Sequence, residues 1–382
     1  VRQLRMPKLF PGFLAEQCPR HHGVIACEGS MFKSKFSSAL STMMAGALGL
    51  ANTEGKPSVG YGAEAGEMDP GLRDFVRKQC KQSLIICRNQ PSRRILEGMG
   101  IRTRPGTDSA WTFEPAPLQR GAELLAAVGW DGKRPVLALC PINPFWWPVK
   151  PDLLKAVAYR YGGQFNREHY ASVYFHCWSE QAEKKYDRYL EAFAYATKRF
   201  AREHDVFPIL VGMEQLDRAA CEQLAERLAL PIPLFVSDQH DMYELVSVLH
   251  NCSFMVSSRY HALVTSMPAR VVSAGVTMDE RIRNLMNDRG HAHLCLEVDE
   301  EQLGEKLVEV MRRLVQDREI IAGEITRFLP GQLRRMGRMG MDLEEEILRI
   351  YPDLPRRQLA HSWENYLPRL SPALERIMED ER

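Results

Sequence analysis

The stretch Phe254-Met-Val-Ser-Ser-Arg-Tyr-His-Ala-Leu-Val264 decides how this chain is read. Phe254, Met255 and Val256 form the short apolar run of a buried strand; Ser257 and Ser258 break it, and Tyr260 to Met267 can make two helical turns before Pro268 ends them. In an α/β sheet, the order strand, turn, helix puts the turn at the carboxyl edge of the strands. Ligands bind at that edge, and the first N–H groups of the helix face outward there. Arg259 and His261 alternate with Tyr260 on this turn. They supply a guanidinium fork suited to a carboxylate or phosphate and an imidazole that gives or takes a proton near neutral pH. Behind a second apolar run, Arg270 to Gly275, Arg281 stands where a further helix would open, within Met278 to Leu285. A lone Arg-x-His triplet is common on any solvated turn, whereas the whole succession through Pro268 to Arg281 is a much longer pattern.

Outward from this stretch, strands and helices alternate. Val24 to Cys27 reads as a strand, and Phe36, Ala39, Leu40, Met43, Met44, Ala47 and Leu48 mark one apolar helix face. Lys56 to Gly66 reads as a second strand entering a glycine-rich loop. Ser83 to Cys87 is a third, buried strand, with Arg88 emerging at its ligand edge, Ser92 next to a helix over 93–98, and Asp108 beyond. Ser92 reads equally as a helix N-cap, and Asp108 equally as a proton acceptor or a buried structural carboxylate. Gln119 to Gly132 reads as a polar connection and the domain boundary. Val136 to Cys140 starts a second sheet, followed by Pro141-Ile-Asn-Pro-Phe-Trp-Trp-Pro148. The planes of Trp146 and Trp147 suit either a sugar face or a domain interface. Further strands are expected at Phe207 to Met213, Leu234 to Ser237 and Leu294 to Val298. Asp241-Met-Tyr-Glu244 fits a capping box. Beyond them Leu303, Leu307, Met311 and Leu314 form one stripe, Arg334 to Gly340 interrupts the helical pattern, and another helix begins near Asp342.

This alternation is the signature of βαβ units and a parallel, doubly wound sheet. A length of 382 residues favours two domains. The expected division is 1–132, a Rossmann-like N-terminal domain; 133–330, a second Rossmann-like domain with an aromatic insertion at 149–180; and 331–382, a helical tail. Fifty basic residues against forty-nine acidic ones leave a net charge of +1, which argues against a nucleic-acid partner. Nine scattered cysteines without C-x-x-C spacing read as reduced, packed thiols of a cytoplasmic protein. No apolar run approaches the ~18 residues that would suggest a membrane span. His250, Cys252 and His261 are close in sequence, but a helix end and a strand flank separate them, so no metal site is expected. The start, Val1 to Lys8, lacks an initiator Met and the apolar core of a signal peptide.

At these residues the chain resembles the polysaccharide pyruvyl transferases. That family carries a Ser-x-Arg-x-His-Ala motif after a strand, a Pro-led strand and an Asp-x-Lys-Ile/Val segment. The corresponding residues are Ser257-Ser-Arg259-Tyr-His261-Ala262, Pro268 and Asp279-Glu-Arg281-Ile282. Arg281 replaces the usual lysine, a fork for a point charge. A second match is an Arg at the end of the third strand, a Ser four residues on and an Asp-bearing turn, here Arg88, Ser92 and Asp108. The family's triple glycine after the first strand is reduced to Glu28-Gly29-Ser30, and its opening strand and Gly-Asp loop are not found, so the first domain is expected to lack its first strand.

The resemblance implies two Rossmann-like domains facing across a cleft, the GT-B arrangement. Phosphoenolpyruvate is the implied donor, bound by Arg88, Ser92, Ser258, Arg259 and Arg281. His261 is the implied general acid and Asp108 a candidate base, with Glu28 a more remote one. The acceptor would be a sugar or lipid-linked glycan, held by Trp146 or Trp147; a lipid-linked acceptor would bring peripheral membrane contact. No cofactor beyond the donor is implied. Two other readings stay open: a GT-B nucleotide-sugar glycosyltransferase, and a non-catalytic glycan-binding protein on the same fold.

Overall fold

Helix α1 (Phe10–Gln17) leads to strand β1 (Val24–Ala26), and three βα repeats follow: α2 (Ser38–Thr53) with β2 (Ser58–Ala63), α3 (Pro70–Gln79) with β3 (Leu84–Cys87), and α4 (Gln90–Glu97) with β4 (Arg102–Pro105). The structure, a computed structural model, describes residues 10–27, 29–166, 168–355 and 360–381. The four strands are parallel, in the order β1-β2-β3-β4. Helices start where the sequence offers a cap: the side chains of Ser37, Asp69 and Asn89 each accept a backbone N–H from the first turn of α2, α3 and α4. Asn89, rather than Ser92, therefore caps α4.

Two details of this first sheet differ from the sequence reading. Helix α2 is rotated so that Ser41, Ala45, Leu48 and Ala51 are buried while Leu40 is exposed. The Ser41 hydroxyl donates to the Lys33 carbonyl at 2.9 Å and accepts the Lys33 N–H at 3.3 Å, anchoring the small-residue face inward. Strand β4 has no apolar run because it is an edge strand; only Thr103 of its four residues is buried.

Helix α5 (Leu118–Ala127) replaces the expected polar connection, and β5 (Val136–Cys140) opens the second sheet. The aromatic segment forms β6 (Val149–Pro151), α6 (Leu153–Gly162), β7 (His169–Ala171) and β8 (Tyr174–His176), an antiparallel sheet in the order β6-β8-β7. Then come α7 (Glu180–Glu203), β9 (Phe207–Gly212), α8 (Arg218–Leu228), β10 (Leu234–Val236), α9 (Met242–His250), β11 (Phe254–Ser257), α10 (Tyr260–Ser266), β12 (Val272–Thr277), α11 (Glu280–Asp288) and β13 (Cys295–Glu297). The second sheet is parallel throughout, ordered β10-β9-β5-β11-β12-β13. Numbered from β5, that order is 3-2-1-4-5-6, the doubly wound arrangement, and its direction reverses between β5 and β11. The fully buried runs Val136–Cys140 and Phe254–Ser257 sit at that reversal, as strands covered on both faces must.

The chain ends in α12 (Leu303–Gln316), α13 (Arg318–Ile350) and α14 (Pro372–Glu379). No break occurs at Arg334 to Gly340; α13 runs through it and through Pro330. Two of the glycines there admit close neighbours: a Cβ on Gly337 would lie 2.3 Å from the Trp363 carbonyl oxygen, and one on Gly340 would lie 2.8 Å from Tyr366 Cβ. Met339 packs on Val59, Leu84 and Ile86, so this helix covers the second face of the first sheet.

The chain forms two compact units that are not contiguous in sequence. One takes the chain up to Ser109 with Trp146–Trp178 and Gln332–Pro368; the other takes Ala110–Phe145, Ser179–Gly331 and the chain from Arg369. This differs from the expected boundaries at 132 and 330 for identifiable reasons. Helix α5 belongs with the second unit because the Gly121 N–H donates to Ser247 Oγ of α9 at 2.9 Å. The aromatic segment belongs with the first, where the Val149 N–H donates to the Phe36 carbonyl at 2.9 Å and Trp147 meets the Phe36 ring edge-on at 5.2 Å.

Candidate active site

The second sheet's reversal point is built from the ends of β5, β9 and β11. Ser257, the last residue of β11, pairs in register with Cys140 of β5 and Gly275 of β12. Its hydroxyl accepts the Arg259 N–H at 3.0 Å and donates to the Arg259 carbonyl at 2.9 Å, fixing the turn into α10. Thr277 repeats the device one strand over, bonding both the N–H and the carbonyl of Asp279 at the start of α11. The two arginines therefore leave adjacent strands on turns of the same construction.

Arg259 is held by two carboxylates that the sequence reading did not single out. Its Nε donates to Asp217 Oδ1 at 3.0 Å and Oδ2 at 2.8 Å, its Nη2 also bonds Asp217, and its Nη1 lies 3.0 Å from Glu214 Oε1. Asp217 is 1% exposed, whereas the Glu214 side chain is 55% exposed, so one partner is part of the interior and the other faces water. Both follow β9, placing the pair across the carboxyl end of β5, the strand between β9 and β11. Burial works against the charge on Arg259, but Asp217 and then Glu214 overcome it and raise its pKa. The signal for these carboxylates was present in Glu214-Gln-Leu-Asp217, which forms a capping box, but nothing local indicates that its carboxylates reach Arg259.

His261 is exposed on the first turn of α10, its ring edge-on to Tyr260 at 5.3 Å. Arg281 lies in the first turn of α11, where Asp279 accepts its N–H at 3.0 Å and its Nε at 2.8 Å. Ser258, expected at the donor, is buried instead: its hydroxyl shares a 2.8 Å hydrogen bond with the Tyr189 phenol, which also accepts the Ile142 N–H at 3.3 Å. That bond ties α7 to the ends of β5 and β11 and makes Ser258 a scaffold residue.

The first unit carries its own charged edge. Arg88 leaves β3 with Nη1 3.1 Å from Asp108 Oδ2; Asp108 is 2% exposed. The guanidinium lies against Gly29, where a Cβ would come within 2.5 Å of both terminal nitrogens, so a side chain there would have to displace it. Glu28 lies outside the described residues. Ser92 is fully buried, its hydroxyl accepting the Ala65 N–H at 3.0 Å and donating to the Ala65 carbonyl at 3.1 Å. It clamps the loop after β2 and has no hydroxyl proton left for a ligand. Beside it Lys33 and Glu64, both buried and neither anticipated, approach to 4.0 Å, with Asn89 Nδ2 donating to Glu64 Oε1 at 2.9 Å.

Trp146 and Trp147 are half-buried in the aromatic segment. Trp146 stacks on His176 at 4.1 Å, and Trp147 meets Tyr170 at 5.8 Å, so one face of Trp146 is already covered. Burial pulls the His176 imidazole down to about 4, keeping it neutral in the stack. Among the described residues no three His, Cys, Asp or Glu side chains are grouped to hold a metal ion, and no helix is long and apolar enough to cross a membrane.

Two parallel α/β sheets, the second with a doubly wound order and charged side chains at its reversal point, define an enzyme fold of the GT-B class. Comparison with solved structures agrees. The chain matches a structure described as trehalose-6-phosphate from E. coli bound with UDP-2-fluoro glucose, with a TM-score of 0.51 at 11% identity, over 91% of this chain and 78% of that one. It also matches a glycosyltransferase from Rickettsia africae ESF-5, with a TM-score of 0.50 at 10% identity, over 92% and 85% of the two chains. At such identities the likeness is one of fold. No curated protein matches the chain. The family model for polysaccharide pyruvyl transferase matches residues 44–280, well over half of the chain, and the chain belongs to that family. As a member it is a transferase, and the family implies a glycan acceptor.

Proposed function

We propose that the protein transfers the pyruvyl group of phosphoenolpyruvate to two hydroxyls of one sugar in a polysaccharide or its precursor, forming a ketal and releasing phosphate. The observation that carries this reading is the turn after β11, where Arg259, anchored by buried Asp217, stands two residues before the exposed imidazole of His261. Phosphoenolpyruvate bears a carboxylate and a phosphate on one carbon, so it needs fixed cations; Arg259 and Arg281 leave neighbouring strands of one sheet edge. Protonation of C3 by His261 makes C2 electrophilic, and a sugar hydroxyl adds there. A second hydroxyl of the same sugar then takes the place of the phosphate. Of the two hydroxyl protons released, one is balanced by the C3 methyl hydrogen and one leaves with phosphate. Arg88 in the first unit offers the same chemistry, and its replacement tests that unit's part in donor binding separately. Trp146 and Trp147 remain our candidates for holding the acceptor sugar, and the nine unpaired thiols support a reducing, cytoplasmic setting.

The test is phosphate release from phosphoenolpyruvate in the presence of candidate glycans, run beside nucleotide-sugar donors. Phosphoenolpyruvate should be the donor consumed. His261→Ala should lower turnover by about 10² or more at an unchanged melting temperature. Turnover of a nucleotide sugar instead, or near wild-type turnover by His261→Ala, would overturn the reading.

A further inference from the structure

Arg259 has more carboxylate partners than a donor-binding arginine needs, and the two differ in kind. Asp217 is buried, takes the Nε and Nη2 edge, and is itself fixed by the Glu214 N–H, which donates to Oδ2 at 3.1 Å. Glu214 meets Nη1 at 3.0 Å, and more than half of its side chain is in water. A guanidinium has five N–H donors in a rigid fork, so an arginine locked along one edge can still present the other. The edge available to an incoming anion is the one at Nη1, and Glu214 occupies it now.

We infer that Asp217 is a positioning residue, holding the Arg259 fork toward the donor, and that the Glu214 carboxylate is a stand-in for the donor anion that substrate must displace. This rests on the phosphoenolpyruvate reading above. The buried pair and the exposed pair should separate sharply in response. Removing one partner of a buried, hydrogen-bonded pair frees or strands the other, whereas an exposed pair holds its partners only weakly. The local field gives a contrasting expectation: deleting either negative charge beside a cationic site should strengthen anion binding.

The experiment is calorimetric binding of phosphoenolpyruvate to the full chain and two variants, with melting temperatures confirming the fold. Glu214→Gln removes the stand-in and should bind about two- to fivefold more tightly. Asp217→Asn should bind at least about tenfold more weakly, the reverse of the purely electrostatic effect. Tighter or unchanged binding by Asp217→Asn overturns the positioning role. Unchanged or weaker binding by Glu214→Gln overturns the stand-in, and that surface substitution keeps the test available if Asp217→Asn does not fold. If the unaltered protein binds no phosphoenolpyruvate, the functional reading itself fails and this inference with it; the two failures are thus told apart by the first titration.

Discussion

At the residue scale, charge at the candidate site is placed by pairing, and at one pair a neighbour makes room for it. Arg88 shows this at Gly29. The guanidinium is fixed by Asp108 at 3.1 Å and lies where a Gly29 side chain would have to go, 2.5 Å from the nearest nitrogen. Gly29→Ala should therefore push Arg88 off Asp108 and destabilise the protein by about 1–3 kcal/mol, as overpacking of a filled site does. Urea denaturation measures this, and a midpoint equal to that of the unaltered protein would show that Arg88 has somewhere else to lie. The residue types were readable early: Arg88, Arg259, His261 and Arg281 stand out by their position after apolar runs. Their partners did not. Nothing local singles out Asp217 or Lys33, and Ser92 and Ser258, expected as ligand-facing hydroxyls, are bonded into the scaffold.

At the scale of elements, most strands and helices followed from local pattern, because buried parallel strands are continuous apolar runs and helices announce themselves by caps. Two exceptions share a cause. Helix α5 stands where a polar connection is expected and holds Gly121 inside it, α13 runs through Gly337 and Gly340 where a break is expected, and in each case the glycine serves a close neighbour outside the helix. A Cβ on Gly121 would lie 2.3 Å from the Ser247 carbonyl oxygen, a backbone atom that cannot swing aside. Gly121→Ala should thus destabilise by about 2 kcal/mol or more, although alanine is the better helix former. Gly323 of α13 has nothing within 4 Å of its would-be Cβ, and Gly323→Ala should stabilise by about 0.5–1 kcal/mol. Thermal or urea unfolding of the two variants should give shifts of opposite sign; shifts of the same sign would mean propensity alone governs these helices.

At the scale of the whole molecule, each unit keeps a neutral histidine inside. Burial pulls His176 in the first unit to about 4, and burial with the neighbouring Arg289 pulls His291 in the second to about 4, both from an ordinary 6.5. In the window between these values the unfolded chain takes up protons that the folded chain refuses, so stability falls as pH falls through it. The urea midpoint should drop between about pH 7 and about pH 5, and a flat midpoint would place these imidazoles in water. By itself the sequence determined the class of fold, the strand-turn-helix stretch at 254–264 and the family it resembles, because these depend on apolar runs, caps and turn residues within a few positions of one another. Only the tertiary structure decided which carboxylate meets which guanidinium and which segment joins which unit. Asp217 and Arg259 are 42 residues apart, and they meet because the strand order sets β9 and β11 on either side of β5.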